Sequence, residues 1–263
     1  MQSTGLLDAF PIWTVFPITL VIGLVAVEIG CRVARYRRRR HKDQTEAPVA
    51  PIVAATLGLL AFMLAFTFGM AASRFEERRQ AVLAESNAIS TSYLRAATMP
   101  EPIATDTRNL LREYVDVRLS AAEPGKTEQA ILRSQELHTL LWAQAVGAAQ
   151  KERSALTSLF MQSLNDVINL HQKRVMASLY SRVPGAIWLG LYSLLALAMA
   201  VMGYHEGIAG TRRSLAVWVL VVAFSAVLLL IMDLDRPGKG LLQVNQQSLL
   251  DIRKSMAATS TTP

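Results

Sequence analysis

Four stretches of mostly apolar residues, Phe10 to Cys31, Pro51 to Ala72, Ala186 to Tyr204 and Leu215 to Met232, approach or reach the roughly 20 residues that a helix needs to cross the hydrocarbon core of a bilayer. Between the second and third the pattern changes. Phe75, Val82 and Ile89 recur at heptad spacing with Arg79, Ser86 and Tyr93 between them, and no helix breaker intervenes before Pro100, so the second span is predicted to continue as one long amphipathic helix. Pro100 and Pro102 end it. Leu110, Tyr114 and Val117 predict a helix over Asp106 to Ser120, and Pro124 with Gly125 breaks the chain again. Thr127 is expected to cap the next helix. From there to Arg182 the sequence reads as helical, with Leu156, Phe160, Val167, Leu170 and His171 on one stripe and a bend at Gly147 or Ser154. Leu242, Leu249, Ile252 and Met256 predict a last helix that packs back on this bundle.

No segment alternates with period two, so the predicted fold class is all-α. It is a four-transmembrane-helix membrane protein with an extracytoplasmic bundle of three or four antiparallel helices inserted between the second and third spans. The expected domains are an N-terminal membrane hairpin over 1–72 with a basic loop, a helical domain over 73–185, a second membrane hairpin over 186–232, and a turn with a C-terminal helix over 233–263.

Charge supplies the orientation. The chain carries a net charge of +7, but the stretch from Arg32 to Lys42 holds seven of its 27 Lys and Arg residues, and the remainder balances the 20 acidic residues. A basic cluster between two apolar runs marks the cytoplasmic side of a membrane better than it marks a nucleic-acid site, and nucleic acid is excluded as a partner. Arg212 and Arg213 mark the second short loop in the same way. Both termini and the central domain are then expected outside the cytoplasm, in a bacterial inner membrane. The first span is expected to be retained rather than cleaved, because the basic cluster follows it instead of preceding it. Glu28 lies one turn before Arg32, the spacing of an ion pair closing the span.

Catalytic chemistry finds little support. His41, His138, His171 and His205 are scattered, no H-E-x-x-H, C-x-x-C or G-x-S-x-G is present, and Cys31 is the single cysteine. Pro237 to Gly240 reads as a turn, not a phosphate loop. His171 is read as a hydrogen-bonded core residue. No cofactor, no metal site and no enzymatic activity are expected.

The spans carry stripes of small residues: Ala54, Gly58, Ala61, Ala65, Gly69 and Ala72 in the second, and Ala186, Gly190, Ser193, Ala196, Ala200, Gly203 and Gly207 in the third. Such stripes let helix backbones approach closely in lipid, where apolar burial no longer drives association. They are read as packing faces within one chain or between copies, with a homo-oligomer expected. Phe62 and Phe66 are the candidate constriction of a pore. The fourth span closes on Asp233, Asp235, Arg236, Pro237 and Gly240, read as a structural latch. Its carboxylates, at the unfavourable end of a helix dipole, are expected to find Arg74, Arg78 or Arg79, with Asp235 as the stronger member.

The stretch Ser73 to Ala96 and the ending Leu234, Asp235, Arg236, Pro237 and Gly240 resemble the bacterial bestrophin-like domain family, and the resemblance runs over nearly the whole chain. It implies a likeness to pentameric anion channels, whose large domain is cytoplasmic, whereas the charge bias places the central domain here outside. Two functional readings stay open. The one favoured on sequence is a non-enzymatic envelope protein whose bundle senses a small ligand or docks an extracytoplasmic protein; the alternative is an oligomeric bestrophin-like ion channel.

Overall fold

A computed structural model describes residues 11–40, 48–123, 125–210, 215–236 and 240–258. Phe10, His41, Lys42, Pro124, Arg212, Arg213 and Pro237 lie outside the described residues. Eight helices, α1 Ile12–Arg40, α2 Ala50–Ala96, α3 Ile103–Ser120, α4 Thr127–Lys151, α5 Ala155–Leu179, α6 Gly185–Ala209, α7 Leu215–Asp235 and α8 Gln247–Ala258, account for the architecture, with no strand among the described residues. Of these, α1, α2, α6 and α7 are long and apolar enough to cross a membrane. The chain divides into two compact units, Met1–Arg74 with Arg182–Leu242, and Phe75–Ser181 with Gln243–Pro263.

In the first unit α1 packs on α6 and α7. Glycines explain how closely. A Cβ on Gly30 would overlap the Ala200 carbonyl, one on Gly203 would overlap the Val27 carbonyl, and one on Gly207 would come 2.6 Å from the Ala34 Cβ. Backbones at that distance gain dispersion and weak polar contacts, the means by which helices associate in lipid. The Cys31 thiol, 3.0 Å from the Gly203 carbonyl, and the Thr19 hydroxyl, 3.1 Å from the Tyr192 phenol, join the same crossing. Only the C-terminal half of the α6 stripe takes part, since Ala186, Gly190 and Ser193 are exposed. The α1 side of the contact is a small-residue stripe of its own, Ala26, Gly30 and Ala34 at every fourth position, beyond the two stripes read from the sequence, and Gly23 meets Val221 of α7.

The second unit is built by amphipathic helices around one core containing Val82, Ile89, Leu111, Tyr114, Leu137, Leu141, Phe160 and Leu164. Removing such side chains from water stabilises by about 1.5–3 kcal/mol each, so the apolar stripe decides which face turns inward. Helix α8 joins through Leu249 and Met256, with Ile252 half-buried, whereas Leu242 is exposed. Several local expectations shift by a residue or a face. Thr127 opens α4 instead of capping it, the cap position being Lys126. Gly147 lies inside α4, and the chain bends at Ser154, whose hydroxyl accepts from the Thr157 N–H as the N-cap of α5. On α5 the buried stripe runs through Thr157, Phe160, Leu164, Val167, His171 and Arg174, while Leu156 is exposed.

Candidate functional site

Helix α2 presents two different faces within the membrane unit. Val53, Leu60, Leu64, Thr67 and Ala71 are buried. The small residues Ala54, Gly58, Ala61, Ala65 and Gly69 are all exposed, with Ala72 intermediate, and nothing approaches a Cβ built on Gly58 or Gly69 within 4 Å. Phe62 and Phe66 flank that stripe at 65% and 58% exposure. At about 100° per residue they fall on the side of α2 opposite the buried stripe. Gly190 of α6 is equally open.

At the end of α7 the two carboxylates are buried and held by main-chain donors. Asp233 accepts from the N–H groups of Leu241 and Leu242 at 2.7 and 3.0 Å, and Asp235 accepts from the Val183 N–H at 2.8 Å. Asp233 thereby ties the returning chain to the helix end, and Asp235 ties that end to the entry of α6. Gly240 permits the first tie, because a Cβ there would overlap the Asp233 carboxylate. The Arg74 guanidinium stands 3.9 Å from Asp235, longer than a hydrogen bond. Arg79 pairs with Glu76 at 3.2 Å, the Arg78 guanidinium lies over the Phe75 ring, and Arg236 is buried. Asp233 thus takes two charge-assisted N–H bonds from the returning chain, and Asp235 takes one from the entry of α6.

The second unit contains a polar cluster that its sequence does not announce. Glu85 of α2 is completely buried; its Oε2 lies 2.6 Å from Arg174 Nη1 of α5, and its Oε1 lies 3.2 Å from Arg118 Nε of α3. The Tyr114 phenol donates to Glu85 Oε1 at 2.6 Å, so its oxygen accepts from His171 Nδ1–H at 3.1 Å. The His138 ring of α4 stands edge-on to His171 with centroids 4.8 Å apart. Arg174 also donates to Gln246, next to α8. Burial alone pushes the Glu85 carboxyl up, but His171, the two guanidiniums and the Tyr114 hydroxyl outweigh it and hold the group well below the usual carboxylate range. Burial, and then the Glu85 charge, pushes the Tyr114 phenol well above its ordinary value. Burial, and then His171, lowers His138 to about 4. One anion thus serves two cations in the core, and among the described residues nothing hydrogen-bonds the Nε2 atoms of His138 and His171. Among the described residues no group of three or more His, Cys, Asp or Glu side chains gathers to hold a metal.

Residues 20–249 match the family model described as the Bestrophin-like domain. Solved structures match along nearly the full length. A variant of a bacterial Bestrophin homolog from Klebsiella pneumoniae aligns over 95% of this chain and 99% of its own with 13% identity and a TM-score of 0.68. A second variant of that homolog aligns over 94% and 99% with 14% identity and the same TM-score, and a chain described as a membrane protein over 96% and 100% with 15% identity, again at 0.68. At such identities the likeness is one of fold. No curated protein matches the chain in sequence.

Proposed function

The chain belongs to the Bestrophin-like domain family, and on that premise we propose that it is a subunit of a homo-oligomeric ion channel of the bacterial inner membrane. The observation that carries this reading is the outward face of α2. Gly58, Ala61, Ala65 and Gly69 offer a second copy a close backbone approach, and Phe62 and Phe66 stand beside them unburied. Copies arranged in a ring with this face inward bring one Phe62 and one Phe66 each to the axis, and stacked apolar collars of that kind gate by dewetting. Current across a planar bilayer containing the purified chain tests the proposal.

In this reading the arginine-rich end of α1 lies in the cytoplasm, and both termini lie outside with the helical unit. A reporter active only in the cytoplasm is expected to work when inserted at Gln44 and to fail at Gly125; the reverse pattern overturns the orientation.

A second reading, that the helical unit senses or docks a partner, has its own support. Leu83, Leu94, Leu132 and Leu156 are exposed on its surface at 53% to 63%, apolar side chains that a docked partner would cover. Crosslinking in cells separates the two: crosslinks between copies of the chain favour the channel, and a stable unlike protein favours docking.

A further inference from the structure

Helix α1 holds 29 residues, roughly 43 Å at 1.5 Å per residue, so it outruns a hydrocarbon core of about 30 Å and carries its C-terminal turns into the headgroup zone. Six arginines and one carboxylate lie between Glu28 and Arg40. The carboxylate is already engaged, since Glu28 Oε1 stands 2.9 Å from Arg32 and 3.2 Å from Arg35. Three of the last four arginines have another kind of neighbour. Arg37 Nη1 reaches the Tyr204 hydroxyl at 3.5 Å, and Arg38 Nη1 reaches the Ile208 carbonyl in the last turn of α6 at 3.4 Å. Arg40 donates to the Tyr36 hydroxyl at 2.7 Å and lies over the Tyr36 ring.

These partners orient the guanidiniums without neutralising them. No carboxylate among the described residues pairs with Arg37, Arg38, Arg39 or Arg40, and all four are exposed. The helix dipole steadies cations at this end but carries only about half a charge. Two helix ends therefore converge on a preset basic platform at headgroup depth that no described carboxylate compensates. We infer that this platform binds the phosphate headgroup of an anionic phospholipid, such as phosphatidylglycerol. A planar guanidinium meets a phosphate through two parallel hydrogen bonds, which a ring of oriented arginines supplies and a zwitterionic headgroup rewards less. The inference holds for either orientation of the chain in the membrane and whether or not the assembly conducts.

Native mass spectrometry of the purified full-length chain, offered equal amounts of phosphatidylglycerol and phosphatidylcholine, tests it. The parent is expected to retain phosphatidylglycerol preferentially, and Arg38→Gln/Arg39→Gln to lose affinity by about thirtyfold, from two headgroup-zone charges. Arg32→Gln/Arg35→Gln changes net charge equally but removes the two arginines turned to Glu28, and it is expected to stay within about threefold of the parent. Equal losses in both pairs overturn the site, because charge alone then accounts for binding. Displacement by millimolar inorganic phosphate also overturns it as a lipid site. Should the variants fail to be recovered, the parent still decides: raising salt to 1 M shortens the screening length to about 3 Å and must release the lipid. Retention indifferent to salt contradicts the inference.

Discussion

Glu85 lies 2.6 Å from the Arg174 guanidinium in the core of the helical unit, and the same carboxylate lies 3.2 Å from Arg118. One buried anion thus neutralises charge on two other helices, and its loss leaves two guanidiniums facing each other without water. Glu85→Gln is expected to cost about 3–5 kcal/mol and to lower the melting temperature of the purified protein by roughly 10 °C. Replacing all three by apolar residues, as in Glu85→Leu/Arg118→Met/Arg174→Met, should recover much of that loss. Melting of Glu85→Gln with the parent would contradict the pairing.

The histidines beside this cluster set a pH dependence. His138 is lowered from 6.5 to about 4 in the folded unit, so the unfolded chain takes up its proton at the higher pH. Stability from this group is complete above about pH 6.5 and is lost as pH falls from there towards 4, by about 2–3 kcal/mol in all. Glu85 acts with the same sign in a lower window, below its ordinary carboxylate range. Thermal melts between pH 7 and 4 are expected to fall more steeply for the parent than for His138→Gln. Parallel curves would remove His138 from the account.

How much of this could be read beforehand depends on which force placed each residue. The spans and the amphipathic helices follow from hydrophobic periodicity, which is a property of each segment alone. The Glu85 cluster does not, because its members lie on four different helices and meet only when those helices pack. A signal was present nonetheless. Glu85, Arg118 and Arg174 each sit three or four residues from a buried stripe member, Val82, Tyr114 and His171, and so on the inward face. A charge on the apolar stripe of each of three helices, α2, α3 and α5, is a reason to expect partners. The α7 ending was legible as a termination from its proline and glycines, but its bonds run to the main chain of Val183, Leu241 and Leu242, whose identities carry no trace of them.

That ending yields a test of its own. Asp233→Ala strands the N–H groups of Leu241 and Leu242 and is expected to cost about 3 kcal/mol, read as a lower melting temperature of the purified protein. Gly240→Ala pushes against the same carboxylate, so its effect should not add to that of Asp233→Ala in a double-mutant cycle. Additive melting-temperature losses would show that the two residues act separately.

Glycines of the spans separate packing within a chain from packing between chains. Gly203→Leu drives a side chain into the Val27 backbone and is expected to abolish recovery of folded protein, whereas Gly58→Leu meets open space in a single copy. Gly58→Leu should therefore melt as a folded chain but run at lower mass in mild detergent. Unchanged mass and yield would mean that the α2 stripe faces lipid.

If the α2 face bearing Phe62 and Phe66 lines a pore, single-channel recording of the reconstituted chain reads it out. The parent is expected to give unitary currents, and Phe62→Ala/Phe66→Ala larger ones, because the widened collars no longer dewet. Silent bilayers with both proteins, or currents that the double substitution leaves unchanged, would contradict it.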